Sequence, residues 1–546
     1  MLLEITEIDN KYESLIENYL VNEKNVSGYV NKKDSRFRAC VSFPEIYEIA
    51  ILNVGMQIVY KELNKLTNWN AGRSFLIKDN LDNKFIGKVW ETGENIKNLD
   101  LWFISVACEA NYLNVVKIIK DAGIALRSDS RTDTEPIIIG GGFVGYNPEP
   151  LMDFFDLFII GDAEEIISKI ALCYEKLKKD YCRKEIVEKL AEIQGIYSYT
   201  NDKNKVERLR YNDFEINRTS SAFITKLNLK DRKIYSIESV RGCNNGCAFC
   251  CLGNVLPKMT SKNEDILFQE IERDYDEVEE VKLVFPSSMD VKLIKRLLST
   301  YTKIRVGSLR ADFLDYEILE MLSNNGQKNI SLAPESSEKI RFIMGKRIEN
   351  EVFFNIIRNC LRLGYKEITL FLIVGFPGET IEDIFELIDF VKEILNIVRN
   401  SDLNIILSIN PFFAKPGTPL QWAQIEDMNV TYKKLSLIRG NLENEQNLII
   451  ESLVGTLEHY RQNLLSRGER QLSSVLIEVE SEIEKGAKET IDLWRSILRK
   501  NNIFERDLFR ERGIEEVFTW DKYTESKEYL IRRWCSICSL VGKEPS

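Results

Sequence analysis

Three cysteines that directly follow an apolar run have the residue type and the spacing to hold a metal cluster. They are Cys243, Cys247 and Cys250, in a C-x3-C-x2-C pattern. Thiolates are the protein ligands of iron–sulfur clusters, and a loop of this length can direct three sulfurs at three corners of one four-iron cube. Because one iron is then left without a protein ligand, the pattern predicts a [4Fe–4S] cluster with an open position for a substrate or cofactor.

Zinc is the main alternative to iron and sulfide at this loop. A structural zinc site takes four ligands, often as two separated pairs, and Cys251 as a fourth ligand would need an awkward turn because it adjoins Cys250. A later pair, Cys535 and Cys538, could supply two ligands to a second metal, although two further partners are not evident. Incidental thiols on a terminal helix are the other interpretation of that pair.

The composition excludes several other classes of protein. The 546 residues carry 74 Lys and Arg against 85 Asp and Glu, a net charge of −11 that argues against a broad basic surface for duplex nucleic acid. His459 is the one histidine, so a Ser-His-Asp hydrolase or a multi-histidine metal site is not expected. No apolar run reaches the length of a membrane-spanning helix, and residues 1–5 lack the pattern of a secretory signal. With eleven cysteines, we expect reduced thiols and a cytoplasmic protein.

Apolar strands alternate with helices from about residue 36 to 172, which predicts an α/β fold with a doubly wound parallel sheet. One of the helices is predicted between residues 45 and 65. In such a sheet ligands lie at the carboxyl ends of the strands, where glycine lets the backbone approach closely. We therefore expect the residues at two predicted strand ends to line a ligand, with tight turns alone as the alternative. These residues are Gly140, Gly141, Gly142, Gly161 and Asp162.

A second alternation of strands and helices runs from about residue 234 to 414. Its six predicted strands are too few for a closed eight-stranded barrel and are consistent with a partial one. After residue 431, charged residues at helical spacing predict a helical region without a convincing strand. The predicted organisation is a doubly wound domain (1–173), a linker (174–232), a partial (β/α)6 barrel (233–430) and a helical C-terminal region (431–546).

The cysteine loop, after the first strand of a partial barrel, resembles that of radical S-adenosylmethionine enzymes. In that superfamily the open iron binds the amino and carboxylate groups of S-adenosylmethionine, and reduction of the cluster cleaves it to a 5′-deoxyadenosyl radical. The resemblance implies that Cys243, Cys247 and Cys250 are the cluster ligands. It also implies that Phe249, the aromatic residue before the third cysteine, packs near the adenine; core packing is the other interpretation.

Later segments resemble further landmarks of this family. Arg310, after the third barrel strand, is implied to reach the carboxylate of S-adenosylmethionine through a charge-assisted bond. Glu335, after the fourth, is implied to bind its ribose hydroxyls or amino group; a surface ion pair is the alternative for both residues. Gly375 lies in a run that resembles the fifth-strand motif packed on adenine. Residues 285–288, Phe-Pro-Ser-Ser, depart from the family's Gly-Gly-Glu-like motif, so no side chain is assigned there.

The resemblance extends to the N-terminal part, whose strand-end motifs look like the cobalamin-binding-type domain of one subclass of these enzymes. Segments 466–470 and 518–521 resemble the tail of a poorly characterised subfamily with the same domain order. Cobalamin is therefore an implied cofactor, facing the strand-end glycines. The Asp-x-His-x-x-Gly motif of domains that ligate cobalt is absent, so the cobalt would have no histidine ligand from this domain. A domain that kept the fold and lost the cofactor is the alternative.

The resemblance implies an enzyme that, with cobalamin, transfers a methyl group to an unactivated carbon or carries out a cyclisation or rearrangement. An RNA-modifying methylthiotransferase-like enzyme is a second hypothesis, weakened by the net charge and by the lack of a clear second three-cysteine cluster. An iron–sulfur protein that senses redox state is the third. The implied partners are a small-molecule or peptide substrate and an electron donor such as flavodoxin or ferredoxin, while nucleic acid is not favoured.

Overall fold

The computed structural model describes residues 2–29, 31–32, 34–79, 83–198, 205–256, 258–286, 289–451 and 455–545, with the backbone alone for residues 2–10. The first part of the chain builds a six-stranded sheet, a separate two-stranded sheet and the helices around them. Its strands are β1 (Lys24–Asn25), β2 (Phe37–Ile46), β3 (Trp69–Leu76), β4 (Leu101–Ser105), β5 (Ile137–Gly141), β6 (Leu157–Ile159), β7 (Ile196–Tyr197) and β8 (Phe223–Ile224). Its helices are α1 (Leu2–Val21), α2 (Tyr47–Ala50), α3 (Val54–Lys65), α4 (Tyr112–Asp121), α5 (Glu164–Leu177) and α6 (Arg183–Leu190).

Strands β2 to β7 form a six-stranded sheet in the order β3-β2-β4-β5-β6-β7, parallel except for β7. Strand β3 is buried throughout, and β4 and β5 are buried except at their last residue, as expected for strands covered on both faces. The strand order reverses at β2, because β3 and β4 lie on its opposite sides, and ligands bind at such a point outside the carboxyl ends of the strands. The predicted doubly wound sheet is confirmed, and β7 extends it into the stretch predicted as a linker.

The single helix predicted between residues 45 and 65 is two helices in the structure. Strand β2 continues through Pro44 to Ile46, with a register shift near its end, so the first helix is only the short α2. Helix α3 then starts anew at Asn53, whose side-chain oxygen accepts a hydrogen bond from Met56 N at 2.8 Å and so caps the helix. The break keeps Asn53 at the carboxyl edge of the sheet.

The second part of the chain alternates strands and helices, as predicted. The strands are β9 (Ile234–Glu238), β10 (Val240–Arg241), β11 (Thr260–Ser261), β12 (Glu280–Val284), β13 (Ile304–Val306), β14 (Asn329–Glu335), β15 (Glu367–Val374), β16 (Asn404–Pro411) and β17 (Leu448–Glu451). The helices are α7 (Cys251–Val255), α8 (Glu264–Asp274), α9 (Val291–Thr300), α10 (Tyr316–Asn324), α11 (Glu338–Ile343), α12 (Asn350–Arg362) and α13 (Ile381–Val398).

The partial barrel is interrupted between β13 and β14. All six predicted strands form, yet they hydrogen-bond as two parallel sheets, β13-β12-β9 and β14-β15-β16, and a further strand, β17, extends the second. The side chain of Gln327 takes the place of a backbone ladder at the gap. Its Oε1 accepts a hydrogen bond from Val306 N at 3.1 Å, and its Nε2 donates to the carbonyls of Val306 and Asn329 at 3.1 and 3.2 Å. One continuous barrel ladder is therefore not confirmed.

The C-terminal region is mainly helical, as predicted, but the expectation that it holds no strand is wrong. Residues 448–451 form β17, which pairs in parallel with β16 from Ile405 to Ser408. The remaining regular elements are α14 (Met428–Leu442), α15 (Thr456–Ser466), α16 (Leu472–Glu484), α17 (Ile491–Lys500), α18 (Glu505–Phe509) and α19 (Lys527–Leu540). Across the described ranges, no helix combines the length and the apolar character needed to cross a membrane.

One hydrophobic core joins the first sheet to the cysteine loop and to the C-terminal helices. Trp102 of β4, Ala248 of the cysteine loop and Trp494 of α17 belong to the same cluster of contacting buried side chains. The buried amide of Asn147 in the first domain donates a hydrogen bond to the carbonyl of Ser466, at the end of α15, at 3.0 Å. The C-terminal helices are therefore part of the support of the N-terminal sheet.

Candidate cofactor site

The cysteine loop lies between β10 and α7 and is held by hydrogen bonds from its own flanks. Cys243 N donates to Leu256 O at 3.0 Å. Asn254 Nδ2 donates to the carbonyls of Cys247 and Cys250 at 2.9 and 2.8 Å, so one amide spans the last turn of the loop. The backbone that carries the three thiols is therefore fixed by the fold.

These thiols form a donor set that fits an iron–sulfur cluster. None is in a disulfide; Cys243 is buried, and Cys247 and Cys250 are half-buried. Burial raises the pKa of Cys247 to about 11, against the opposing Lys346 charge, and burial also raises the pKa of Cys250. The negative charge of Cys250 further raises the pKa of Cys247, and that of Cys243 further raises the pKa of Cys250. The three sulfurs are therefore neighbours. Within the described ranges, no group of three Cys, His, Asp or Glu side chains is close enough to bind one metal ion. A four-iron cluster is bound at separate corners, so its ligands need not meet at one point.

An aromatic surface lies beside the loop, at the carboxyl ends of β15 and β16. The ring centroid of Phe249 is 5.6 Å from that of Phe376, which is 5.4 Å from that of Phe412. Gly375, next to Phe376, has a φ of +95° and donates its N–H to Glu379 Oε2 at 2.7 Å. The structure thus brings Phe249 and Gly375 to the same end of the barrel. Phe376 and Phe412 are 2% and 4% exposed and Phe249 packs against the same core, so the structure shows core packing of Phe249, and its contact with adenine stays a prediction.

Glu335 ends β14 in a strained conformation next to a cation that the sequence did not reveal. Its φ is +67°, and the register of β14 shifts at this point. Its Oε1 lies 2.7 Å from Lys346 Nζ, and the two side chains are only 10% and 9% exposed. Burial raises the pKa of this carboxyl, while Lys346 opposes the rise. Strain of this kind collects at functional sites, and the buried pair differs from the surface ion pair considered as the alternative.

Arg310 follows β13 and is engaged by a carboxylate two residues away. Its Nε and Nη2 donate to the two carboxylate oxygens of Asp312 at 2.9 and 2.8 Å. Burial lowers the pKa of Arg310, but Asp312 and the thiolates of Cys247 and Cys243 raise it more. The guanidinium therefore lies close to the cysteine loop, although its donors point at Asp312. Its contact with S-adenosylmethionine stays a prediction.

A cavity of 590 Å³ separates the carboxyl edge of the first sheet from the strands that lead into the cysteine loop. Its volume is within the range of small-molecule sites. One wall contains all five residues predicted to line a ligand there, Gly140, Gly141, Gly142, Gly161 and Asp162. The opposite wall comes from β9, β10 and β12. The cavity thus lies between the glycine wall and the residues that flank the cysteine loop, Gly242 before it and Leu252 after it.

The four glycines of this wall differ in what they leave open. An ideal Cβ at Gly142 or Gly161, both with a φ of +116°, would collide with the backbone of a neighbouring segment, and one at Gly140 would come within 2.5 Å of an aromatic ring. At these three positions packing within the protein already requires glycine. A Cβ at Gly141 would meet only Ile159, at an ordinary 3.5 Å. Gly141 is therefore the position whose missing side chain leaves room in the cavity.

An ion-pair network in the cavity wall joins the two domains. Arg241 Nη2 lies 2.7 Å from Glu164 Oε1 and 2.6 Å from Glu238 Oε2, and its Nη1 lies 3.2 Å from Asp162 Oδ2. Burial raises the pKa of Glu238, and Arg241 counters the rise. One guanidinium therefore contacts three carboxylates, two of them from the first domain. The sequence predicts Asp162 alone as a site residue, because the contacts of Arg241 with Asp162 and Glu164 join segments far apart in the chain and only Glu238 is near Arg241 in sequence.

Three other cysteines that the sequence singled out lie apart from these contacts, whereas Phe285 and Pro286 line the 590 Å³ cavity. Cys251 begins α7, is buried, and has its sulfur 4.0 Å from Pro416 O. Cys535 and Cys538 lie on α19, where the described residues add no further ligand. In the segment 285–288, Ser287 and Ser288 lie outside the described residues.

His459 is a buried and neutral side chain of the C-terminal region. It is 2% exposed, and its Nε2 lies 3.3 Å from Phe412 O. Burial lowers its pKa from 6.5 to about 4, although the bond to Phe412 opposes this. At neutral pH the ring is therefore uncharged in both the folded and the unfolded chain.

Replacing His459 with glutamine is expected to flatten the dependence of stability on pH. As the pH falls below 6.5, His459 takes up a proton in the unfolded chain before it does so in the folded protein. The free energy of unfolding that the neutral ring contributes above pH 6.5 is therefore lost between pH 6.5 and pH 4. Between about pH 7.5 and pH 5 the wild-type protein should lose about 2 kcal/mol more than His459→Gln. Urea unfolding at both pH values measures the difference. Equal losses in the two proteins would contradict a buried neutral ring.

The solved structure of the radical S-adenosylmethionine methyltransferase TsrM from Kitasatospora setae, with cobalamin and a [4Fe–4S] cluster bound, has the same fold. It aligns with a TM-score of 0.55 at 12% identity, over 86% of this chain and 99% of that one. By sequence, an uncharacterized protein of Methanocaldococcus jannaschii is 27% identical over 484 residues, which are 87% of this chain and 97% of that protein. The ribosomal protein uS12 methylthiotransferase RimO of Petrotoga mobilis is 28% identical over 230 residues, 38% of this chain and 53% of that protein.

Two family models cover the parts of the chain that carry the candidate site. The model of N-terminal domains of radical SAM proteins matches residues 55–198, which include the glycine wall. The model of the radical SAM superfamily matches residues 237–391, which include the cysteine loop, Arg310, Glu335 and Gly375. With the three thiols after the first barrel strand, these matches establish that the chain belongs to the radical S-adenosylmethionine superfamily.

Proposed function

We propose that the protein is a cobalamin-dependent enzyme of this superfamily that forms a 5′-deoxyadenosyl radical and acts on an unactivated carbon, by methyl transfer or by cyclisation or rearrangement. The observation that carries the proposal is the 590 Å³ cavity with the glycine wall on one side and the strands of the cysteine loop on the other. A corrin against the first wall and S-adenosylmethionine beside the second would face the same space. TsrM, which has this fold, was solved with cobalamin and a [4Fe–4S] cluster.

The chain's own residues would bind and orient the cofactors. When bound, a [4Fe–4S] cluster supplies the electron that cleaves S-adenosylmethionine. Cys243, Cys247 and Cys250 would hold the cluster through thiolates, and Phe249 would cover the adenine and exclude water. Glu335 is held rigidly by its strained backbone and its buried ion pair, which keeps one carboxylate oxygen oriented for a ribose hydroxyl or an amino group.

Reductive cleavage of S-adenosylmethionine is the reaction that tests this proposal. The anaerobically reconstituted protein with dithionite is expected to form 5′-deoxyadenosine slowly even without substrate, measured by liquid chromatography and mass spectrometry. A sample without dithionite is the control and should form none. Formation of S-adenosylhomocysteine alone would indicate polar methyl transfer and contradict the proposal, and no turnover in a protein with a full cluster would favour the redox-sensing alternative.

Gly141→Val is expected to reduce cobalamin retention by roughly tenfold. Overpacking costs about 1–3 kcal/mol, and a loss of this size in binding free energy corresponds to such a change in affinity. The valine methyl groups would extend from the Cβ position near Ile159 into the cavity. Gly141→Ala is the matched control, because its Cβ makes only an ordinary contact. Corrinoid per chain is measured by absorption after loading with hydroxocobalamin, and iron content should not change. Equal corrinoid retention by the wild type and Gly141→Val would contradict a corrin at this wall.

The methylthiotransferase hypothesis is supported by one observation, the similarity to RimO over 38% of this chain. A gain of a methylthio group in RNA or in a ribosomal protein, detected by mass spectrometry, would favour it over the main proposal. We also propose a cytoplasmic location, where thiols stay reduced, a small-molecule or peptide substrate, and a flavodoxin or ferredoxin as the electron donor.

A further inference from the structure

Two cationic side chains lie next to each other on the inner face of the barrel, away from the cysteine loop. Strands β12 and β13 pair in parallel with Lys282 opposite Arg305. The residues on either side of Lys282 in β12, Val281 and Leu283, are buried in the core on the outer face. Because side chains alternate along a strand, Lys282 and Arg305 share the inner face. Like charges directly opposite each other are destabilising, so this pair calls for compensation.

The surrounding protein gives these two cations little compensation. Within the described ranges, the ammonium of Lys282 has no hydrogen bond or ion pair, and Arg305 donates through Nη1 only to the backbone carbonyls of residues 302 and 304. Glu280, one of the two carboxylates in this region, is shared by Lys230 and Arg232 at 3.9 and 3.8 Å. Burial lowers the pKa of both Lys282 and Arg305.

The space in front of these cations is large and polar. Lys282 and Arg305 line a cavity of 680 Å³ at the amino-terminal end of the strands, across the gap that Gln327 bridges. Its walls carry six cationic side chains against two carboxylates, in a chain whose net charge is −11. Ser331 and Thr369, partners in the register of β14 and β15, add hydroxyl groups to the same cavity. Lys282 also lines the 590 Å³ cavity, so the two spaces meet at its side chain.

We infer that the inside of the barrel binds an anionic group, a phosphate or a carboxylate of a small ligand, between Lys282 and Arg305. An ammonium and a guanidinium offer charge-assisted donors from two sides, and the hydroxyls of β14 and β15 can complete the shell. A bound anion would offset the repulsion between the two cations. That this anion is part of the substrate rests on the function proposed above, because Lys282 reaches the cavity between the two cofactor walls.

Equilibrium dialysis of the reconstituted full-length protein with radiolabelled inorganic phosphate, and separately with radiolabelled succinate, tests this inference. Lys282→Met should weaken binding of the preferred probe roughly 10- to 100-fold, and Lys282→Arg, which keeps the charge, should retain it. Tighter binding of phosphate or of succinate distinguishes the two classes of anion. Lys366→Met is the matched control: Lys366 lines the same cavity but is paired with Asp402 at 3.2 Å, so its loss should change binding less than about twofold.

Acylation of the wild-type protein provides a measurement that needs no variant to fold. Saturating probe should slow the reaction of Lys282 with an N-hydroxysuccinimide ester, followed by peptide mass spectrometry, and should leave that of Lys366 unchanged. Equal weakening in Lys282→Met and Lys366→Met, or no saturable binding and no protection in the wild type, would overturn the inference. Because anion binding is measured without turnover, a protein that binds phosphate but does not cleave S-adenosylmethionine contradicts only the proposed function.

Discussion

Replacing Cys243, Cys247 and Cys250 together with alanine is expected to abolish iron binding at the cysteine loop. These residues carry the three thiols of the loop that Asn254 and Leu256 hold in place, and thiolates are the ligands that retain a cluster. Iron and sulfide per chain, measured after anaerobic reconstitution, should fall from a full four-iron cluster to background. The 5′-deoxyadenosine activity should disappear with them.

Cys251→Ala is the matched control for this experiment, because Cys251 adjoins the third cysteine but begins α7 with its sulfur near Pro416. This variant should keep its full iron content. A full cluster in the triple variant would contradict the assignment of the ligands. One zinc per chain in the wild type, lost in both proteins, would instead favour a four-cysteine zinc site.

Arg241→Met is expected to destabilise the protein by about 3–5 kcal/mol, the cost of removing one partner from a buried ion pair. The change leaves Asp162, Glu164 and Glu238 facing one another without their cation. Because these carboxylates come from both sides of the cavity, we expect the variant to weaken the contact between the first sheet and the barrel. The free energy of unfolding in urea measures the effect, and corrinoid retention should fall in parallel.

A surface ion pair provides the comparison for Arg241. Lys169 and Glu165 are 60% and 52% exposed and 3.2 Å apart, and Lys169→Met should cost less than about 1 kcal/mol. A similarly small cost for Arg241→Met would show that the network contributes no more than an exposed pair.

The features predicted well from the sequence are those that depend on local spacing. The cysteine loop is one continuous segment, and the glycine wall follows strands whose apolar runs are unmistakable. The sequence does not predict strand β3, because Asn70, Gly72, Arg73 and Ser74 interrupt any apolar pattern, yet the strand is buried throughout. Arg73 can be buried there because Glu23 and Glu91 neutralise it at 2.6 Å each, and neither is near it in sequence.

Contacts between distant segments account for the other differences. Strand β17 has only four residues, alternately half-buried and exposed, and forms because the edge of β16 offers it hydrogen bonds. Lys346 becomes part of the site through Glu335, and Arg241 through Asp162 and Glu164, partners that no short sequence spacing relates to them. At the gap between β13 and β14, the side chain of Gln327 takes the hydrogen bonds of a neighbouring strand. A pattern of apolar residues cannot predict such a side-chain contact.

The hydrophobic core that runs from the first sheet to the C-terminal helices limits how chimeras of this protein can be built. A graft of the N-terminal domain onto the barrel of a relative, joined near residue 232, would separate Asn147 from Ser466 and divide the core to which Trp102 and Trp494 belong. Such a hybrid would expose apolar surface at both ends of the cut. A productive exchange should therefore move the first domain and the region after residue 455 together, as one discontinuous unit, and leave the barrel between them as the insert.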